Sequence, residues 1–340
     1  MSGRNSEEGM AQEMTIPVYL DVDTGVDDAL AILLAVRHPA LEVRGITTVV
    51  GNVDLEQVTR NTLQVLEVAG AGDVPVVSGA SRPLVAQARS AAAVHAADGL
   101  GNANLPPPRR EPAGDDAVAF LRSELLAAPK PVTLIALAPL TNIALLFQTA
   151  PKVKEKVREL AIMGGAFGVG NATPVAEFNI LHDPEAADIV FRSGVPILMY
   201  GLDVFRRVCF TEEEVDRWFA SPSYLASRPY PDTPPALVGH LFHFLFSNFR
   251  RSFTSIGDAG CVGAVIDRSG LTTELLPVYI ETGGRYCRGQ TVVDRRPRDL
   301  VNRRGEEAVE SCTAVALDID GDFYREMFRQ AVGNGSMGTG

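Results

Sequence analysis

The run Pro17-Val18-Tyr19-Leu20-Asp21-Val22-Asp23-Thr24-Gly25-Val26-Asp27-Asp28-Ala29-Leu30 constrains this chain more than any other stretch. An apolar segment ends in acid, turns at a glycine and opens a helix. Asp21 and Asp23 are two apart, so on a strand they share a face. Gly25 supplies the backbone freedom expected of a tight turn. Asp27 and Asp28 then sit in the first turn of a helix whose apolar positions are Val26, Ala29, Leu30, Leu33 and Leu34. The helix dipole favours an acid or two there, and a capped helix after a surface turn would look similar. It does not favour four carboxylates held together, because like charges repel and raise one another's pKa. A hard cation removes the difficulty. Oxygen ligands on a strand–turn–helix suit Ca²⁺ or Mg²⁺, with Ca²⁺ taking roughly 6–8 oxygens.

Beyond this stretch, short apolar runs alternate with longer amphipathic ones, the mark of βαβ units around a parallel sheet. Strands are expected at Val18–Val22, Val43–Val50, Val74–Val77, Val132–Leu137, Leu160–Met163 and Ile197–Tyr200. Helices are expected at Val26–Val36, Leu55–Ala69, Ala117–Leu126, Thr141–Gln148 and Pro184–Arg192. Right-handed crossovers put helices on both faces. The fold expected is α/β, an open, mostly parallel twisted sheet flanked by helices, as a single domain over residues 15–330. A disordered leader is expected over residues 1–14 and a disordered tail over 331–340. The Pro-rich stretch 220–235 reads as a hinge or helical flap. The helix after it carries an aromatic stripe, Phe242, Phe244, Phe246, Phe249 and Phe253, whose simplest use is core packing.

Hydrophobic residues make up 46% of the 340, enough for a substantial core. The net charge of −11, with no long basic block, argues against nucleic acid as a partner. No apolar run reaches the roughly 20 residues that span a bilayer. Cys209, Cys261, Cys287 and Cys312 form no Cys-x-x-Cys pair, which leaves zinc and redox motifs unsupported. A reducing cytoplasm is the expected location.

The opening stretch resembles the nucleoside hydrolase family, whose N-terminal signature is Asp-x-Asp-x-Gly-x-Asp-Asp. Asp21, Asp23, Gly25, Asp27 and Asp28 fill its fixed positions. Three further matches follow in the family's order: Gly45-Ile46-Thr47-Thr48-Val49-Val50-Gly51-Asn52, Leu140-Thr141-Asn142-Ile143-Ala144, and Gly170-Asn171-Ala172-Thr173-Pro174-Val175-Ala176-Glu177-Phe178-Asn179. The resemblance runs from about residue 16 to about residue 325. A haloacid-dehalogenase-type, Mg²⁺-dependent phosphatase also begins with Asp-x-Asp, but then needs any residue followed by Thr or Val. Gly25 stands there instead, and Asp27-Asp28 has no counterpart.

The resemblance implies Ca²⁺-dependent hydrolysis of the N-glycosidic bond of a ribonucleoside. Such cleavage passes through an oxocarbenium-like sugar. By resemblance, Asp23 is the base that takes a proton from water. Asp23, Asp28, the Leu137 carbonyl and Asp258 are the metal ligands, and Asp21 supports the loop from behind. Asp27, Asn52, Asn171, Glu177 and Asn179 hold the ribose, and Met163 lies under it. A homodimer or homotetramer is implied in the same way.

One departure stands out. In the inosine-uridine type the residue before the last metal-binding Asp is a His that helps protonate the leaving base. Here it is Gly257, which can protonate nothing. His95 matches a family histidine in the loop after the third strand and is the remaining candidate for that role. His240 and His243 on the flap helix are possible substitutes. A second family branch stacks purines between tryptophans; Trp218 is the only tryptophan here, so the flap phenylalanines are the aromatic alternative. His182 precedes the helix start Asp183-Pro184 and reads as support for that turn. The one argument for a non-catalytic nucleoside- or ribose-binding protein is Gly257.

Overall fold

Strand β1 (Ile16–Val22) is apolar up to its acidic end, and from Val18 onward every residue is buried. Continuous burial on both faces is what a central strand of a parallel sheet requires. A computed structural model describes residues 15–296 and 313–333. The expected leader over 1–14 lies outside the described residues. Of the expected tail, residues 331 and 332 complete the last helix and residues 334–340 lie outside the description.

The other strands are β2 (Leu41–Thr48), β3 (Val76–Ser78), β4 (Val132–Ala136), β5 (Val157–Met163), β6 (Ile197–Tyr200), β7 (Cys209–Thr211), β8 (Phe253–Ser255), β9 (Leu271–Leu276), β10 (Val278–Ile280), β11 (Thr291–Val293) and β12 (Thr313–Ile319). With β1, seven of them form one eight-stranded sheet in the order β3-β2-β1-β4-β5-β6-β12-β9. All its neighbours pair in parallel except β9, which runs antiparallel to β12. The expected α/β sheet is therefore present. Two-stranded antiparallel pairs β7–β8 and β10–β11 lie outside it.

Strand order reverses beside β1, with β2 on one side and β4 on the other. In open α/β sheets, ligands bind in the crevice beyond the carboxyl ends at such a reversal. Helices cover both faces, giving one apolar cluster around the helix Val26–Arg37 and a second around the helix Thr141–Thr149.

The flap region is two helices, Pro222–Ala226 and Pro234–Phe249. The aromatic stripe divides along the longer one. Phe242 and Phe246 are buried, and the Phe242 ring lies 5.6 Å from Phe210, 6.0 Å from Phe219 and 6.5 Å from Phe328. Phe249 and, beyond the helix, Phe253 are exposed. Core packing takes the inner face and leaves the last two rings to solvent.

Candidate active site

The acids at the end of β1 take different jobs. Asp21 is buried behind the loop. Its Oδ1 accepts from Thr47 Oγ1 at 2.5 Å and from Asn142 Nδ2 at 2.8 Å. Asn142 Nδ2 also donates to the Thr48 carbonyl at 3.0 Å, and its Oδ1 accepts from the Ala80 N–H at 2.9 Å. Asp21 thus ties the ends of β1, β2 and the loop after β3 to one carboxamide. Burial raises its pKa to about 6 against the two hydrogen bonds.

Asp23 is held from one side only. Its Oδ2 accepts the Asn52 N–H at 2.8 Å, while Oδ1 is buried without a partner. Asp28 accepts the N–H of Asp23 at 3.2 Å on Oδ1, and on Oδ2 the N–H of Gly25 at 3.0 Å and Asn52 Nδ2 at 3.2 Å. Gly25 itself differs from the expected turn glycine. Its φ of −104° is open to any residue. A side chain is excluded there by crowding, because a Cβ would lie 2.6 Å from His95 Nδ1 and 2.7 Å from Asn52 Nδ2.

Asp258 enters from the far end of the chain, at the start of the helix Ala259–Ile266. One oxygen each from Asp27, Asp28 and Asp258 lies within 4.8 Å of the others. Burial first, and then the neighbouring carboxylates, push Asp23 and Asp258 well above the usual carboxylate range and Asp28 up to about 7. Asp27 Oδ1 is a second buried oxygen without a partner. Orphaned, mutually repelling oxygens are what a hard divalent cation satisfies, and the donor set contains no sulfur or nitrogen. The residues fit such an ion. The Leu137 carbonyl, at the end of β4, accepts Asn179 Nδ2 at 2.9 Å and keeps a second lone pair.

A cavity of about 860 Å³ opens over this group. Of the eleven residues expected at the site, ten line it: Asp23, Asp27, Asn52, His95, Leu137, Met163, Asn171, Glu177, Asn179 and Asp258. Asp28 lies beneath the lining, held by the loop's own N–H groups. Glu177 caps the short helix Phe178–His182, accepting from the N–H of Gly165 at 3.1 Å, Asn179 at 2.9 Å and Ile180 at 3.1 Å. Burial nonetheless raises it to about 7. Asn171 Oδ1 accepts the Phe178 N–H at 2.9 Å.

The histidines separate. His95 lines the cavity on the short helix Ala92–His95, and its Nδ1 accepts the N–H of Val26 at 3.0 Å. It is buried, which lowers its pKa, and lies 3.7 Å from Asp27. His240 and His243, expected as substitutes for the missing acid, lie elsewhere. Neither lines the cavity; their Nε2 atoms meet the Gly101 carbonyl at 2.9 Å and the Ala220 carbonyl at 3.0 Å. His182 is buried beside Phe178, with ring centroids 5.5 Å apart, and also lies off the cavity. Residues without a sequence signal line it too, among them Phe205, Arg89, Arg206 and Arg251. Arg206 follows β6 at the carboxyl rim, which is the only hint that the chain order offered.

This fold and this acid-lined crevice define a class. The chain belongs to the inosine-uridine preferring nucleoside hydrolase family, whose model matches residues 18–326. It is 42% identical over 285 residues to the non-specific ribonucleoside hydrolase RihC of Shigella boydii, covering 83% of this chain and 89% of that one. Among solved structures it resembles the plant nucleoside hydrolase PpNRh1, with a TM-score of 0.81 and 30% identity over 93% of this chain and 98% of that one. A purine-preferring ribonucleoside hydrolase from Gardnerella vaginalis gives a TM-score of 0.82 at 29% identity over the same shares. Family membership across nearly the whole chain displaces the phosphatase reading. The chain is a hydrolase acting on N-glycosyl bonds.

Proposed function

We propose that the protein splits ribonucleosides into ribose and free base at a Ca²⁺ centre formed by Asp23, Asp28, the Leu137 carbonyl and Asp258, with Asp27 close enough to join. The observation that carries the reading is the convergence of unpartnered, mutually repelling carboxylates on one cavity floor. A bound cation there supplies Lewis acidity and makes water a stronger nucleophile at neutral pH.

The chain's own groups do the rest. Asp23 holds one oxygen on the Asn52 N–H and keeps Oδ1 free, so Oδ1 receives the proton of the attacking water. Asp27, Asn52, Asn171, Glu177 and Asn179 take the ribose hydroxyls, since carboxylates and carboxamides accept several hydrogen bonds at once. Met163 supports the sugar from below, and the exposed Phe249 and Phe253 rings offer stacking surface to the base. His95 lines the cavity on the short helix Ala92–His95, whose Ala93 carbonyl accepts Asn248 Nδ2 at 3.1 Å, next to Phe249. The protein acts in the cytoplasm as a homodimer or homotetramer, which size-exclusion chromatography with light scattering distinguishes.

The test is reducing-sugar release from inosine, adenosine, guanosine, uridine and cytidine, with Ca²⁺ and after chelation, with Asp23→Asn alongside. Metal-dependent release lost in the variant is expected. No release from any nucleoside by protein that still binds Ca²⁺ would return the binding-protein reading.

A further inference from the structure

The cavity has no histidine at the position before Asp258 to hand a proton to a departing base. Gly257 is not merely a histidine lost. Its φ is +57°, and a Cβ there would lie 2.7 Å from Asp27 Cβ and 3.0 Å from Phe205 Cζ. The space is already filled. His95 receives the Val26 N–H on Nδ1, so its neutral ring carries the single proton on Nε2. Giving that proton up would leave an imidazolate, and a doubly protonated ring would set Nδ1–H against the Val26 N–H. The remaining histidines, His38, His182, His240 and His243, do not line the cavity.

What the cavity does hold is positive charge. Arg89, Arg206 and Arg251 line it, and none has a carboxylate partner among the described residues. Arg206 leans toward the Gly170 carbonyl at 3.5 Å, beside Asn171 and the proposed sugar end. Arg251 sits elsewhere. Its guanidinium lies 5.8 Å from the centre of the Phe249 ring. Phe249, Arg251, Phe253, Ser255 and Gly257 line the cavity along one continuous run of chain, which ends at the vacated acid position.

We propose that Arg251 fills the leaving-group role by receiving the base as an anion, so that the enzyme ranks ribonucleosides by the acidity of the free base. The inference rests on the N-ribohydrolase reading above. Water gives its proton to Asp23 and its oxygen bonds to C1′. The C1′–N bond breaks and its electron pair stays on the base, spread over the ring nitrogens and carbonyl oxygens. The guanidinium binds that planar anionic edge through paired N–H donors. The base takes a proton from solvent on release, and Asp23 returns its proton to solvent. Arginine delivers no proton itself; it lowers the energy of the charge that develops.

The experiment compares kcat/KM of wild type and Arg251→Gln on inosine, uridine, cytidine and p-nitrophenyl β-D-ribofuranoside. Wild type is expected to favour inosine and uridine, whose bases leave as delocalised monoanions, and to be slowest on cytidine. Arg251→Gln should lower the nucleoside rates about ten- to a hundredfold, the worth of a hydrogen bond to a charged group. The p-nitrophenyl riboside should change less than about threefold, because a nitrophenolate departs without help. Equal loss on both substrate types overturns the proposal, as does cytidine turned over as fast as inosine. If wild type fails to cleave even the p-nitrophenyl riboside, the hydrolase reading itself has failed, and this proposal with it.

Discussion

Gly51→Ala is expected to disable the enzyme without unfolding it. Gly51 does not use left-handed backbone, so alanine is acceptable on φ and ψ alone. The obstacle is Asp23. A Cβ at residue 51 would fall 2.7 Å from Asp23 Cγ and 2.9 Å from its Cβ, and closer still to Oδ2. Carbon atoms pack at about 3.5–4.0 Å, so the carboxylate must retreat by about 1 Å. Asp23 is buried, and its Oδ2 is fixed by the Asn52 N–H, so retreat breaks that bond. Misplacing a reacting group by about 1 Å costs on the order of 10²-fold, or about 2.7 kcal/mol in the barrier. Overpacking should cost about 1–3 kcal/mol of stability, within what a domain of this size tolerates. The assay is kcat/KM on inosine below the melting transition, beside near-ultraviolet circular dichroism. Gly72→Ala is the control, since nothing lies within 4 Å of a Cβ there. A Gly51→Ala enzyme within threefold of wild type would refute the claim that Asp23 is held by close backbone approach.

Three other outcomes are expected. Chelation should abolish ribose release and lower the melting temperature, because Asp23, Asp28 and Asp258 are left to repel one another; Ca²⁺ at about a hundred times its Kd should return about 2.7 kcal/mol, read by calorimetry. Glu177, raised by burial to about 7, is protonated below that pH and loses acceptor capacity toward the sugar. KM should therefore climb as pH falls through about 7 and level off above it, whereas Glu177→Gln should show a high KM with this pH dependence removed. Asparagine can set its carboxamide oxygen where His95 Nδ1 accepts from Val26, and glutamine cannot. His95→Asn should thus keep about five- to tenfold more kcat/KM than His95→Gln, the worth of one helix-capping bond, and should lose less than Phe249→Ala.

The first βα unit was readable because its signals are local. An apolar run stops at acid, and the dipole and repulsion arguments follow from spacing alone. The lateral order of strands was not readable, since β12 enters between β6 and β9 from the end of the chain. Asn142 appeared only as part of a motif. Its work, bonding Asp21, Thr48 and Ala80 at once, needs three loops that sequence does not place side by side. The aromatic stripe was legible as helix and ambiguous as function, because periodicity cannot say where a buried face ends and a cavity begins. The mouth arginines left no trace: isolated in loops, each resembles any solvated cation.

Gly257 shows how differently a missing side chain reads in one dimension and in three. In sequence it is a replacement, glycine where the resemblance to the inosine-uridine type leads one to expect an acid. In structure the backbone lies in the left-handed region, and Asp27 and Phe205 fill the space a side chain would need. A histidine reintroduced there must first displace Asp27, one of the three carboxylates that approach one another on the cavity floor. Restoring the acid would therefore disturb the proposed metal site before it helped the base. The two arrangements are alternatives rather than a complete and an incomplete version of one site. An enzyme on the glycine side of that choice has to manage the leaving group by binding its charge.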